Sequence, residues 1–277
     1  AGSPLPANRT LINPQFATHD STMKIFKWFL GLLVLAGLVL GFILWTLPAD
    51  VAYRHFADKL GPVSLVGIRG TVWNGHADGI SVFGRDLGEL DWRVEKWPLL
   101  TQGIRADLRI RGADIDTSGL LERDYSGVMR ANDVRFRVPA SLFAGAVDVP
   151  ALKLLGQVSG TLTQVQLKNG LVAMANGHAR WSDAGVSGAA EARFSDILAE
   201  FATRPDSSMA GTLADDGKGN LEVNGSFSAS ATGFQAEAFL SARNDDARVQ
   251  EALRYIGEAQ PDGSAHLVIS GQLFKLL

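Results

Sequence analysis

Hydrophobic and polar residues alternate along several stretches of the chain. In Leu90–Glu95, Leu90, Trp92 and Val94 oppose Asp91, Arg93 and Glu95. In Ile104–Arg111, Ile104, Ala106, Leu108 and Ile110 oppose Arg105, Asp107, Arg109 and Arg111. Asp133–Val138 repeats the pattern, with Val134, Phe136 and Val138 set against Asp133, Arg135 and Arg137. Val165 and Leu167 face away from Gln164, Gln166 and Lys168, and Leu221, Val223 and Phe227 from Glu222, Asn224 and Ser226. A last strand is predicted through His266–Ile269 towards Phe274. A period of two is that of a β-strand, whose successive side chains point to opposite faces. One apolar and one polar face predicts an antiparallel sheet wetted on one side and argues against a parallel sheet buried on both.

Turns are expected at Lys168-Asn169-Gly170, Ala175-Asn176-Gly177, Val223-Asn224-Gly225 and Asp215–Asn220, since Asn, Asp and Gly accept the backbone of tight hairpins. Gly70-Thr71-Val72, Gly160-Thr161-Leu162 and Gly211-Thr212-Leu213 each read as the start of a strand, at spacings too irregular for a solenoid. Three segments read as short helices. Asp50–Leu60 has Val51, Phe56 and Leu60 on one face and is stopped by Gly61-Pro62. Phe194–Ala202 is broken before Pro205. Asp245–Ile256 carries Asp245 and Asp246 at its positive end and Val249, Leu253 and Ile256 on one face, with Gly257 as its stop. Together these give about 32 helical residues, roughly 48 Å of helix. That length covers only part of the apolar face of a large sheet. Either the sheet closes on itself, or it leaves an apolar trough in which an acyl chain or an apolar peptide would lie.

Trp28–Leu47 breaks the alternation with an apolar run free of charge. As a helix it is long enough to cross the hydrocarbon core of a bilayer. Lys24 and Lys27 precede it and Asp50 follows, so the positive-inside rule puts the N-terminus in the cytoplasm and the rest in the periplasm. Its length, and the poor cleavage site at Leu47–Asp50, favour a retained anchor over a cleaved signal peptide. Gly37 and Gly41 form a GxxxG pair on one helix face, a candidate contact for a second helix, although glycine is common in such helices in any case. Residues 1–22 hold Pro4, Pro6 and Pro14 with no apolar periodicity and read as an unstructured extension ahead of Met23. The expected organisation is an extension (1–22), a basic flank and anchor (23–48) and a periplasmic β-rich domain (49–277). The fold class is mainly β: one transmembrane helix, then a large curled antiparallel sheet, open trough or sandwich, with two or three short helices.

Composition narrows the function. The 277 residues carry a formal net charge of −3 and no cysteine. A disulfide framework, a thiolate zinc site and a Cys nucleophile are thereby excluded. The arginine-rich stretch Arg85–Arg137 holds as many carboxylates as basic groups, so it is a mixed-charge solvated face and no nucleic-acid partner is expected. The five histidines are scattered, without an HExxH or an i,i+4 pair. No nucleophile elbow or dinucleotide fingerprint occurs, and Gly211–Lys218 has the wrong spacing for a phosphate loop. No enzyme activity, metal or cofactor is expected.

Gly70-Thr71-Val72-Trp73-Asn74-Gly75 lies soon after the anchor and the first short helix. It is followed by Gly88-Glu89-Leu90-Asp91-Trp92 and Pro98-Leu99-Leu100-Thr101-Gln102-Gly103, with Leu253–Gly257, Asp262-Gly263 and Ser270-Gly271 near the end. In this order and spacing the chain, from Met23 to Leu277, resembles the protein N family of the type II secretion system, and more distantly AsmA-like envelope proteins. The resemblance implies an accessory inner-membrane component that acts by contacts with other secretion subunits. The AsmA-like alternative would handle lipid in an apolar groove. Gly70, Thr71, Trp73, Gly75 and Trp92 then have structural roles: the tryptophans as core anchors on strand faces, the glycines at a turn or bulge.

Overall fold

The computed structural model describes residues 32–39, 41–43, 45–101, 103–144, 151–168, 171–230 and 233–271. The chain divides into two compact units, Ala1–Leu47 and Pro48–Leu277. Of the predicted span Trp28–Leu47, residues 32–39, 41–43 and 45–46 are helical. Leu32, Leu33, Val34, Leu35, Leu38, Val39, Phe42, Ile43 and Trp45 there are all exposed. Residues 28–31 of the span, the basic flank and the extension over 1–22 lie outside the described residues. Among the described residues no helix is long and apolar enough to cross a membrane.

The second unit begins with helix α1 (Ala49–Phe56) and a 3-10 turn (Ala57–Lys59), together matching the helix expected over Asp50–Leu60. Sixteen strands follow in one sheet, every pair of them antiparallel. The first seven are β1 (Val63–Val66), β2 (Arg69–Gly70), β3 (Asn74–Val82), β4 (Arg85–Glu95), β5 (Ile104–Arg111), β6 (Asp116–Arg123) and β7 (Met129–Pro139). The long hairpin β8 (Leu152–Lys168) and β9 (Leu171–Gly188) comes next, then β10 (Ala192–Arg193), β11 (Ile197–Thr203), β12 (Met209–Asp215) and β13 (Leu221–Ser230). The last three are β14 (Gly233–Ala242), β15 (Glu258–Ala259) and β16 (Ala265–Gly271). Helix α2 (Pro98–Thr101) joins β4 to β5, and α3 (Ala247–Ile256) follows β14. Neighbouring strands are nearly all consecutive in sequence, and the path ends at β1 on one side and β15 on the other. The sheet is therefore open, not a closed barrel.

Three expectations are corrected. Phe194–Ala202 is not helical: Ile197–Thr203 forms β11, paired with β9 and β12. Its Leu, Ala and Glu are good helix formers, but Ile197, Ala199 and Phe201 alternate, and the ladders on both sides override propensity. Ala175-Asn176-Gly177 and Val223-Asn224-Gly225 are not turns; they run inside β9 and β13. Gly160 and Gly211 stand within β8 and β12, not at strand starts. Gly257 stops α3 as expected, in an extended conformation, and the lack of a side chain lets it lie against the His266 carbonyl, which a Cβ would approach to 2.7 Å. The turn expected over Asp215–Asn220 does join β12 to β13. Asp215 organises it, accepting from the N–H of Val223 (2.9 Å) and Gly217 (2.8 Å) and pairing with Arg243 at 2.9 Å. The turn Lys168-Asn169-Gly170 falls on residues that are not described beyond the pairing of Lys168 with Leu171.

Apolar packing concentrates in two clusters. One cluster buries Ala77, Ile80 and Leu90 against Val63, Leu65 and Trp92. The larger one buries Leu152, Val186, Leu221, Val223 and Leu240 under Val249, Ala252 and Leu253 of α3. Asp246 caps that helix by accepting from the N–H of Arg248 and Val249. Elsewhere the apolar face covers itself sideways. Leu162, Gly177, Phe201, Gly211 and Phe227 are successive partners across five strands, large alternating with small. Phe227 lies over Gly211, and its ring centroid is 6.0 Å from that of Phe201 on the other side. Phe136 lies over its partner Gly160, Phe234 over Gly271 and Trp92 over Gly75.

A Cβ at Gly160 would stand 2.4 Å from the His178 carbonyl oxygen and 2.8 Å from the Phe136 ring, so Gly160→Ala should destabilise the protein by about 1–3 kcal/mol through overpacking. Gly79→Ala, whose Cβ would meet Val66 at an ordinary 3.5 Å, should cost nothing. Urea denaturation of both variants of the full chain separates a close-approach role from generic loss of a strand glycine.

Candidate interaction surfaces

The glycine–tryptophan motif is a hairpin, not a strand. β2 and β3 pair Gly70 with Gly75, and Thr71, Val72 and Trp73 form the loop between them. Gly70 has φ 86°, a left-handed conformation that suits glycine. The Thr71 hydroxyl accepts from the Asn74 N–H at 3.2 Å, and the Thr71 N–H donates to the Asn74 carbonyl at 2.9 Å. Gly75 leaves room for the Trp92 indole, whose Nε1 donates to the carbonyls of Thr71 and Val72, both at 3.2 Å. Trp73 is half-buried in the loop itself, with the Lys96 ammonium 5.4 Å from its ring centre and its carbonyl accepting from the Val94 N–H. Trp92 thus anchors the hairpin to β4, and the motif residues form one structural unit. Only Trp92, of the two tryptophans, sits on a strand face as expected.

Beside this unit the polar face carries a charge cluster. His76 Nδ1 is 2.8 Å from Asp91 and its Nε2 is 3.3 Å from Asp78. Asp91 also pairs with Arg111, and Asp78 with Arg69 at 2.6 Å. The hydrogen bond to Asp91 raises the His76 pKa, and the same bond, with that from Arg111, lowers the Asp91 pKa. The cluster ties β2, β3, β4 and β5 together on the solvent side.

Two clefts lie further along the same polar face. The first, about 630 Å³, sits between two rows of side chains that cross the sheet strand by strand. One row runs Arg109, Ser118, Arg135, Thr161, His178, Glu200, and the other includes Asp116, Arg137, Ser159 and Arg180. The second, about 620 Å³, shares Arg109, Ser118 and Arg135 but adds Asp91, Asp107 and Asp133. On the apolar face, a cavity of about 220 Å³ next to α3 is lined by Leu154, Trp181, Phe194, Leu213 and Ile256, among other apolar residues. Gly37 and Gly41, in the N-terminal unit, have nothing within 4 Å of where a Cβ would be.

Residues 61–268 match the family model for type II secretion system protein N. The chain belongs to the type II secretion system protein N family. It is 32% identical over 104 residues to the type II secretion system protein N of Aeromonas hydrophila, covering 36% of this chain and 40% of that protein. Over 142 residues it is 30% identical to that of Vibrio cholerae, covering 50% of this chain and 56% of the relative. The alignments thus span about half the length of these curated relatives. No solved structure matches the chain significantly. The protein N match takes in the Trp92-anchored hairpin, both polar clefts and α3; Gly37 and Gly41 lie ahead of it. The motif residues of the hairpin stand out in the sequence by their order and spacing, although as a strand and not as a hairpin. The clefts do not, because their walls are assembled by strand pairing and leave no mark in any one segment.

His76 should titrate above the usual imidazole value of about 6.5. A raised folded-state pKa stabilises fully below the unfolded value, and that contribution fades as pH rises through the folded value. The His76 ring resonances followed by NMR across pH should show the raised midpoint, and Asp91→Asn should bring it back down.

Proposed function

We propose that this protein is an accessory inner-membrane component of the type II secretion system, anchored by one helix over Trp28–Leu47. Its N-terminus lies in the cytoplasm and its sheet in the periplasm. It promotes export of folded proteins across the outer membrane by contacts with other secretion subunits, without catalysis or a cofactor. The family match over residues 61–268 carries this reading. The anchor is supported by the uncharged run from Trp28 to Leu47 behind Lys24 and Lys27, and by the exposure of its described apolar side chains on every side. The lipid-handling alternative has less to rest on. The apolar cavity, at about 220 Å³, is smaller than the roughly 300–1,000 Å³ of ordinary ligand pockets, and α3 borders it.

A periplasm-active reporter fused after Leu277 should be active and a cytoplasm-active one silent; the reverse would overturn the orientation. Deleting the gene should lower type II substrates in the culture supernatant while they still fold in the periplasm. Unchanged supernatant levels in a strain with a working system would remove the secretion role. Gly37→Leu with Gly41→Leu should reduce co-purification of membrane partners if the glycine face seats another helix, a contact worth about 1–2 kcal/mol.

A further inference from the structure

We propose that the first polar cleft is a docking site for an extended acidic segment of a partner protein, held by Arg109, Arg135 and Arg137. The proposal rests on the reading that the domain works through partner contacts. Several arginines on this face are already engaged: Arg111 with Asp91, Arg105 with Glu122 at 3.0 Å, Arg130 with Asp124 at 3.0 Å and Arg180 with Asp196 at 2.5 Å. Arg109, Arg135 and Arg137 are exposed and make no ion pair or hydrogen bond among the described residues. All three line one cleft, whose lining carboxylates are Asp116 and Glu200 alone. The neighbouring cleft, which shares Arg109 and Arg135 and adds Arg93, matches its three arginines with Asp91, Asp107 and Asp133, so the cationic surplus lies on the side of Arg137 and Arg180. Like charges gathered without partners along one cleft raise the local potential and favour an anionic occupant.

The spacing selects the kind of anion. Arg135 and Arg137 are two residues apart on β7, so their side chains leave the same face about 6.7 Å apart. An extended peptide presents every second side chain at the same interval. Glu or Asp at alternate positions would therefore meet both guanidinium groups, each in a forked, charge-assisted hydrogen bond. Arg109 stands two strands away, about 9.6 Å across the sheet, within reach of a further carboxylate. Ser159 and Thr161 add hydroxyls along the same wall. A phospholipid would bring one phosphate and two acyl chains, and these polar walls offer the chains nothing to pack on.

The test uses the full chain in dodecyl maltoside micelles and a short fluorescein-labelled peptide with Glu at alternate positions and Thr between them. Fluorescence anisotropy should show binding that weakens with added salt. Arg135→Gln with Arg137→Gln should lower affinity about tenfold or more, with the circular dichroism spectrum unchanged. Arg254→Gln, on α3, should leave binding as it was. Arg135→Glu with Arg137→Glu should instead bind the peptide carrying Lys in place of Glu. Equal binding of a Gln-for-Glu peptide or of one with its Glu residues contiguous overturns the proposal, as does equal loss in Arg254→Gln. Competition by phosphatidylglycerol vesicles but not by unlabelled acidic peptide overturns it in favour of a membrane surface. A deletion strain that exports normally removes the secretion role and leaves this binding result standing; impaired export with no peptide binding removes the docking site alone.

Discussion

A sheet with one apolar face and few helices must hide that face by some other means, and here it does so sideways. Phe227 folds over Gly211, Phe136 over Gly160, Trp92 over Gly75 and Phe234 over Gly271. Each ring covers the bare backbone of the adjacent strand and removes apolar area from water without a second layer. Aromatic contacts of this type add about 0.5–1.5 kcal/mol beyond area burial. Everything else depends on it, because each glycine has to stand opposite its ring. A slip of one residue would move the glycine from under the ring and turn the arginines of the polar face inward. The alternation of large and small partners therefore holds the register as well as the face.

With the register held, the polar side inherits an order of its own. The row from Arg109 to Glu200 and the row through Arg137 and Arg180 stay parallel across successive strands. At the β2–β5 end, the Trp92-anchored hairpin and the His76–Asp91–Arg111 cluster fasten the sheet from opposite faces. At the far end α3 supplies the one substantial cover, and Asp215 with Arg243 pins the turn beneath it.

Much of this was legible in the sequence. Period-two runs such as Ile104–Arg111 became strands, Asp50–Leu60 and Asp245–Ile256 became helices, and the spacing of Gly70, Trp73, Gly75 and Trp92 picked out the hairpin region. What could not be read was non-local. Asn-Gly pairs at Asn176 and Asn224 look like turns until strand pairing shows Gly177 beneath Leu162 and Gly225 against Ala238. Ile197–Thr203 has helical propensity and a strand's alternation at once, and only its two neighbours decide between them. Arg109 and Arg135 belong to different segments, and no local pattern tells that Ser118 brings them into one row. A self-covering sheet was also not foreseen: counting helices against apolar area left only closure or an open trough.

The strand order carries one more consequence. Because almost every strand pairs with the one made just before it, each addition closes a short loop, and the entropy of loop closure grows slowly with length. Contacts of small sequence separation also form quickly. A chain of this kind can grow its sheet from one side as it is synthesised, every strand finding its template already in place. β15 then covers β16 only at His266 and Ala265, so among the described residues the rest of β16 remains an open edge on which a further strand can pair.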